Sequence, residues 1–168
     1  MIRQAQRFGS YVPKSSIRFD PAGKHLLFSY DDENSIRDGL GLLVGAQGSF
    51  LSYYYFFYKS AMSLVGFSLA AASSVGLVIH AKNTPAYINL LQDGKSIELQ
   101  TYTSLGKVSK KVTRVPIGEI QGRKGRDGLK ILWNDRVYLL NQEGKIHNPE
   151  LLYAVLRGLD VETQSKFK

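Results

Sequence analysis

The chain has 168 residues and a mass of 18.8 kDa, close to the usual size of one folded domain. Apolar residues make up 43% of it, which argues against intrinsic disorder, and the absence of cysteine excludes disulfides, thiolate metal ligands and cysteine nucleophiles. The formal net charge of +8 indicates an acidic partner: nucleic acid, anionic lipid or an acidic protein surface.

The N-terminal segment, residues 1–23, is basic and contains three serines before its first acidic residue, Asp20. An Arg- and Ser-rich, acid-poor composition is typical of a mitochondrial targeting segment, and an ordinary basic tail is the alternative. The basic residues that precede Asp20 are Arg3, Arg7, Lys14 and Arg18. Residues 24–38 follow as a strand and a linker that we expect to join a β domain further along the chain.

Residues 39–81 contain a single charged side chain, Lys59. Together with Ser60 it separates two uncharged blocks, residues 39–58 and 61–80, each of 20 residues. That is the length a helix needs to cross about 30 Å of hydrocarbon. The sequence therefore predicts a tight antiparallel hairpin of two transmembrane helices, and a helical hairpin buried in a soluble core is the alternative.

Small residues recur along both predicted helices, and Gly41 and Gly45 form a GxxxG pattern in the first. In a membrane, helices associate through close approach of their backbones, so a stripe of small residues indicates a packing face. The predicted helix-packing residues are Gly41, Gly45, Gly48, Ser52, Gly66, Ala70, Ser73 and Gly76.

Six consecutive aromatic residues, 53–58, end the first predicted helix. Tyrosine rings favour the headgroup level, where the ring contacts lipid and the hydroxyl contacts water. We predict an interfacial belt or a partner contact at the tip of the hairpin, with a stacking platform for a quinone or haem edge as the alternative. The predicted interfacial aromatics are Tyr53, Tyr54, Tyr55 and Tyr58.

The flanking charges predict the orientation of the hairpin. Residues 1–38 carry six basic and five acidic side chains, and residues 82–168 carry fifteen basic and nine acidic ones. Under the positive-inside rule both termini lie on the matrix side of a mitochondrial inner membrane. Because neither 20-residue block contains Asp, Glu, Lys or Arg, a proton path, an ion channel or a transporter is not expected.

Short alternating runs in residues 82–168 predict a small antiparallel β domain on the matrix side. The predicted strands cover residues 25–30, 86–91, 96–102, 108–117, 129–133 and 137–140, and residues 118–128 are predicted to form a loop. Asn148, Pro149 and Glu150 indicate the start of a last helix. The predicted fold class is a membrane α+β protein: a two-helix transmembrane hairpin with a small antiparallel β domain closed by a C-terminal helix, in a pleckstrin-homology-like layout.

Catalytic and metal-binding patterns are absent from the sequence. His25, His80 and His147 lie in different predicted elements, and there is no H-x-x-x-H pair, nucleophile elbow or paired-carboxylate signature. Residues 93–96 resemble the end of a phosphate-binding P-loop, but Asn89 stands where that motif requires glycine. We expect no enzymatic activity, no resident cofactor and no small-molecule substrate.

Eight basic residues lie between positions 107 and 130, opposed only by Glu119 and Asp127. Next to a bilayer, such residues attract anionic headgroups such as cardiolipin, with about 1 kcal/mol for each basic side chain near the surface. An acidic protein face, ribosomal RNA and a simple solvated surface are the alternatives. The predicted lipid- or partner-binding residues are Lys107, Lys110, Lys111, Arg114, Arg123, Lys124, Arg126 and Lys130.

Four features, in this order along residues 24–160, resemble a known superfamily. They are the strand of residues 26–30, the tight hairpin, residues 87–106 and residues 146–152. The order is similar to that of the two-pass mitochondrial inner-membrane proteins that include transmembrane proteins 70, 186 and 223. The resemblance implies a matrix-facing domain on a helical hairpin that acts in the assembly or structure of respiratory complexes or ATP synthase, and it supplies no site residues.

These observations predict a non-catalytic protein of the mitochondrial inner membrane that serves as an accessory subunit or assembly factor of a respiratory-chain complex. Its expected partners are subunits of that large membrane complex and anionic lipids, ahead of nucleic acid. The alternatives are a peripheral tether that binds anionic lipid or mitoribosomal RNA through the basic residues, and an accessory subunit of ATP synthase.

Overall fold

The computed structural model describes residues 9–58, 61–125 and 128–163. The chain divides into two compact units. We call the first the β unit; it is made of the described parts of Met1–Asp31, Asn83–Thr101 and Ser109–Lys168. We call the second the helical unit; it is made of Asp32–Lys82 and Tyr102–Val108.

A five-stranded antiparallel sheet forms the centre of the β unit. From one edge to the other, its strands are β5 (Thr113–Pro116), β4 (Ser96–Thr101), β3 (Pro85–Leu91), β2 (Lys24–Ser29) and β9 (Lys145–Ile146). Side chains alternate across the pleat, so Ile88, Leu90 and Leu99 are fully buried on one face. Where the chain leaves the sheet and re-enters it, Tyr30 N–H donates to Ala86 O at 2.8 Å.

A second antiparallel sheet follows a 3₁₀ turn, Ile117–Glu119. It contains β6 (Gln121–Gly125), β7 (Gly128–Trp133) and β8 (Arg136–Leu140). Asn134 and Asp135 join β7 to β8 with positive φ angles of 48° and 59°, the backbone of a two-residue hairpin turn.

The last helix, α3 (Pro149–Leu156), buries an apolar face against the β unit. Its predicted N-cap is confirmed, since the Asn148 side chain accepts a hydrogen bond from Leu151 N–H at 3.2 Å. After the helix, β10 (Asp160–Val161) pairs in parallel with β1 (Ser10–Tyr11) near the beginning of the described chain.

The helical unit contains two long helices. α1 spans Glu33–Tyr53 and continues as a π-helix over Tyr54–Tyr58, and α2 spans Ala61–Asn83. α1 begins six residues before the uncharged block of residues 39–58. These six residues form the first turns of the helix and include the charged residues Glu33, Arg37 and Asp38. α2 ends at Asn83 because Pro85 cannot continue it.

The coarse fold prediction is confirmed: the chain is a mixed α+β protein with antiparallel sheets. Two local predictions are wrong. The predicted strand 108–117 is a strand only over Thr113–Pro116, and the predicted loop 118–128 contains β6. Gly122 explains the second error, because a Cβ there would collide with the Leu156 carbonyl of α3. Close packing on α3 therefore selects glycine in a strand whose local sequence is typical of a loop.

Candidate membrane anchor and basic surface

α2 is, among the described helices, the one long and apolar enough to cross a membrane. Only 11% of its most apolar stretch is buried. Met62 is 77% exposed, Leu69 65% and Val75 60%. A core helix of a soluble protein would bury such side chains. The exposed apolar surface of α2 is therefore available for contact with lipid or with another protein. α1 is less apolar because it begins with the charged residues Glu33, Arg37 and Asp38 and also contains Gln47 and three serines.

Among the described residues, the contacts between the two helices include one side-chain hydrogen bond and two side chains that lie against glycines. Gln47 Nε2 donates to Ser74 Oγ at 2.8 Å. The Phe50 ring lies against Gly66, where an added Cβ would be 2.5 Å from Cε1, and Leu77 lies against Gly39, where a Cβ would be 3.2 Å from Cδ2. Moving along α1, the contacts meet earlier residues of α2, so the helices run antiparallel.

The predicted packing residues divide between this contact and the opposite surface. Gly66 lies in the contact and Ala70 is buried at 7% exposure. Four predicted glycines have nothing within 4 Å of an added Cβ: Gly41, Gly45, Gly48 and Gly76. Ser52 and Ser73 are exposed. The GxxxG stripe therefore faces away from α2, and the Gln47–Ser74 pair marks the face that packs.

The predicted interfacial aromatics lie at the end of α1 and in the π-helix. Tyr53 is 52% exposed and Tyr55 is 75% exposed. Tyr54 is half-buried and packs its ring edge-on against Tyr55, with ring centroids 5.8 Å apart. The Tyr58 side chain and Lys59 lie outside the described residues. The arrangement presents rings outward, as an interfacial belt requires.

The basic residues predicted as one patch are distributed over both units. Lys107 belongs to the helical unit, whereas Lys110 and Lys111 lie in the β unit on the segment that precedes β5. Register places Arg123 of β6 directly opposite Lys130 of β7. The remaining three do not join this pair. Lys124 lies on the other face of β6, Arg114 is on β5, and Arg126 lies outside the described residues.

Arg114 is held by the turn between β3 and β4. Its guanidinium pairs with Asp93, which also accepts hydrogen bonds from the backbone N–H groups of Lys95 at 2.9 Å and Ser96 at 3.0 Å. Burial raises the pKa of Asp93, but these hydrogen bonds outweigh it and hold the pKa below its usual value. Arg114 is thus partly neutralised and contributes less to a basic surface than the prediction assumed.

A cluster that the sequence did not indicate joins the N-terminal segment to α3. Tyr11 Oη donates to Glu150 Oε2 at 3.1 Å, and Lys14 Nζ lies 3.2 Å from Glu150 Oε1. The hydrogen bond from Lys14 is the main reason that the pKa of Glu150 is lowered. Residues 10–14 of the predicted targeting segment thus belong to the fold, and residues 1–8 lie outside the described chain.

Among the described residues, no three His, Asp or Glu side chains come together in a group that could hold a metal ion. No protein-family model matches the chain, and no curated protein matches it. The resemblance described above therefore remains an expectation from the sequence.

Proposed function

We propose that the protein is a non-catalytic mitochondrial inner-membrane protein, an accessory subunit or assembly factor of a respiratory-chain complex, anchored by a hairpin of α1 and α2. The observation that carries the anchor is the exposed apolar surface of α2. A helix of 23 residues that is apolar up to its last turn and largely unburied is suited to hydrocarbon or to the transmembrane helices of a partner.

Two polar side chains of α1, Gln47 and Ser49, fit a membrane because they donate hydrogen bonds within the helical unit. Gln47 donates to Ser74 across the helix pair, and Ser74 Oγ donates in turn to Ala70 O at 2.9 Å. Ser49 Oγ likewise donates to Gly45 O at 3.0 Å. Side-chain hydrogen bonds of this kind reduce the cost of placing hydroxyls and amides in hydrocarbon.

The connectivity of the β unit supports a hairpin with both flanks on one side of the membrane. β2 precedes α1 and β3 follows α2, yet the two strands pair directly, with His25 opposite Leu90. Two paired strands cannot lie on opposite sides of a bilayer. The segment between them must therefore cross the membrane an even number of times, which fits two helices and the positive-inside orientation toward the matrix.

Membership of a respiratory complex rests on the sequence resemblance and on the outward surfaces of the molecule. The Gly41–Gly45 stripe is open on α1 and suits a neighbouring transmembrane helix. Arg123, exposed on β6, offers positive charge suited to an acidic subunit or an anionic headgroup.

Carbonate extraction of mitochondria tests the membrane anchor. The full chain is expected in the membrane pellet. A lysine in the middle of a transmembrane helix raises the free energy of membrane insertion by about 2.5–3.5 kcal/mol. Leu69→Lys, in the middle of α2, is therefore expected to move protein to the supernatant. Val137→Lys, a matched change at an exposed position of β8, is expected to leave it in the pellet. Release of the unaltered chain contradicts the anchor.

The complex is tested by native electrophoresis in mild detergent with mass spectrometry of the co-migrating band. Co-migration with respiratory-chain subunits supports the proposal, and migration with ATP synthase or with the mitoribosome contradicts it in favour of the corresponding alternative. Protease added to mitoplasts is expected to spare the β unit, and its digestion contradicts the matrix orientation.

A further inference from the structure

We propose that residues 103–107 form a membrane-interface anchor, in which Leu105 inserts among phospholipid headgroups and Lys107, with Arg37 and Lys82, binds their phosphates. The proposal rests on the proposed function, because it requires α1 and α2 to cross a membrane. It adds a lipid-binding site made by a loop that lies far from the helices in sequence, within the helical unit.

The loop is fixed to the beginning of α1. Tyr102 and Val108 form an antiparallel bridge that closes its two ends. Asp32 N–H donates to Tyr102 Oη at 2.9 Å, and Val108 N–H donates to Glu33 Oε1 at 2.8 Å. The ends of the loop are thus tied to the residues that start α1.

Gly106 brings the loop into direct contact with the helix. Its φ angle is +78°, and an added Cβ would lie 2.9 Å from Arg37 N and 3.0 Å from Ile36 Cγ2. Arg37 is two residues, or about 3 Å of helix rise, before the uncharged block that begins at Gly39. The loop therefore packs beside α1 at the level where the proposed hydrocarbon region begins.

Leu105 is presented outward by a tight turn. Thr103 N–H donates to Lys107 O at 2.7 Å, and Gly106 N–H donates to Thr103 O at 3.0 Å. Gly106 is buried, whereas Leu105 is 72% exposed. Transfer of an exposed leucine side chain from water to a membrane interface is favourable. Because the turn already fixes the backbone at Leu105, insertion costs little additional conformational entropy.

Three basic residues of the helical unit belong to this end of the helix pair or to the turn itself: Arg37, Lys82 and Lys107. Arg37 and Lys82 flank the uncharged stretches of α1 and α2, and the antiparallel order of the contacts brings those two helix ends together. Long basic side chains at such positions extend toward lipid phosphates. Three acids of the same unit lie nearby: Asp38, 3.4 Å from Arg37 Nε; Glu33, which accepts from Val108 N–H; and Asp32, whose backbone N–H donates to Tyr102 Oη. Lys107, at the exposed end of the turn, adds to the positive charge.

The absence of native cysteine allows the anchor to be tested with one fluorophore at a time in the full chain. We would label Leu105→Cys, Leu69→Cys and Val137→Cys and reconstitute each in phosphatidylcholine vesicles with and without phosphatidylglycerol. Quenching is measured with nitroxide-labelled lipid and with aqueous iodide. Positions 105 and 69 are expected to be quenched by the lipid and shielded from iodide, and position 137 the reverse.

The outcomes separate the two proposals. Lipid quenching at position 69 with iodide quenching at position 105 overturns the anchor and leaves the transmembrane hairpin intact. Iodide quenching at both positions overturns the hairpin together with the anchor. In the labelled Leu105→Cys chain, Lys82→Gln and Lys107→Gln are each expected to lower about fivefold the equilibrium constant for insertion of position 105 into anionic vesicles. Lys145→Gln, in β9, is the control; equal values for all three overturn the phosphate-binding part.

Discussion

Gly66→Ala is expected to weaken the pairing of α1 with α2, whereas Gly45→Ala is expected to preserve it. Both changes place the same methyl group in the middle of an α-helix. At Gly66 the new Cβ would lie 2.5 Å from Phe50 Cε1 and 2.7 Å from Cδ1, which is closer than carbon atoms approach. At Gly45 it would meet nothing within 4 Å.

The magnitude follows from two opposing contributions. Replacing glycine by alanine in a helix interior contributes about 1 kcal/mol of stability at either position. Forcing an extra carbon into a packed contact costs about 1–3 kcal/mol. The Phe50 ring is 38% exposed, so it can swing outward, but it then loses its contact with α2. We therefore expect Gly66→Ala to be about 1–3 kcal/mol less stable than Gly45→Ala.

The measurement is a titration of the purified chain in mixed micelles with increasing dodecyl sulfate. Donor and acceptor dyes on cysteines introduced at Val44 and Val75, which are exposed on α1 and α2, report separation of the helices. A Phe50→Ala background provides the second control. Because it removes the ring, Gly66→Ala is expected to stabilise the helix pair there by about 1 kcal/mol, as Gly45→Ala does.

Two results would refute this reasoning. Equal midpoints for Gly66→Ala and Gly45→Ala would show that Phe50 and Gly66 are not in contact. A penalty at Gly66 that persists without the Phe50 ring would show that the cost arises elsewhere.

The remaining predictions concern a helix pair and a turn. Gln47→Leu removes the hydrogen bond to Ser74 and is expected to cost about 1 kcal/mol in the same titration; an unchanged midpoint contradicts the pair. Gly94→Ala is expected to lower the melting temperature, because φ is +63° and a Cβ would meet a backbone carbonyl, whereas Gly118→Ala is tolerated. Because the pKa of Asp93 is lower in the folded chain than in the unfolded chain, its carboxylate stabilises the fold at pH values above its unfolded pKa. This stabilisation is lost as the pH falls through the pKa of the folded chain. Asp93→Asn is expected to remove this part of the pH dependence of the melting temperature.

Local signals predicted those parts of the fold that depend on neighbouring residues. The predicted strands 86–91 and 96–102, joined by a short turn, and the Asn148 cap are both found, because turn and cap chemistry is set within a few residues. Strands β1 and β10 are not predicted by the sequence, since each has only two residues and their pairing joins distant parts of the chain. Hydropathy could not indicate such a short pair.

The small-residue pattern predicts packing faces on both helices but does not indicate which side chains join them. Gly41 and Gly45 face away from α2, and the Gln47–Ser74 hydrogen bond and the Phe50–Gly66 contact define the face that packs. Lys107 was grouped with Lys110 because the two are close in sequence, yet they belong to different units. Assignment of a residue to a surface requires long-range packing that one sequence does not encode locally.

The pairing of β2 with β3 also constrains the order of folding. β2 emerges from the ribosome before α1, but its partner is made only after α2 is complete. Until the intervening segment turns back on itself, β2 remains an unpaired strand with open hydrogen-bonding groups, which favours aggregation or degradation. Completion of the five-stranded sheet therefore requires that the segment between β2 and β3 has already turned back on itself.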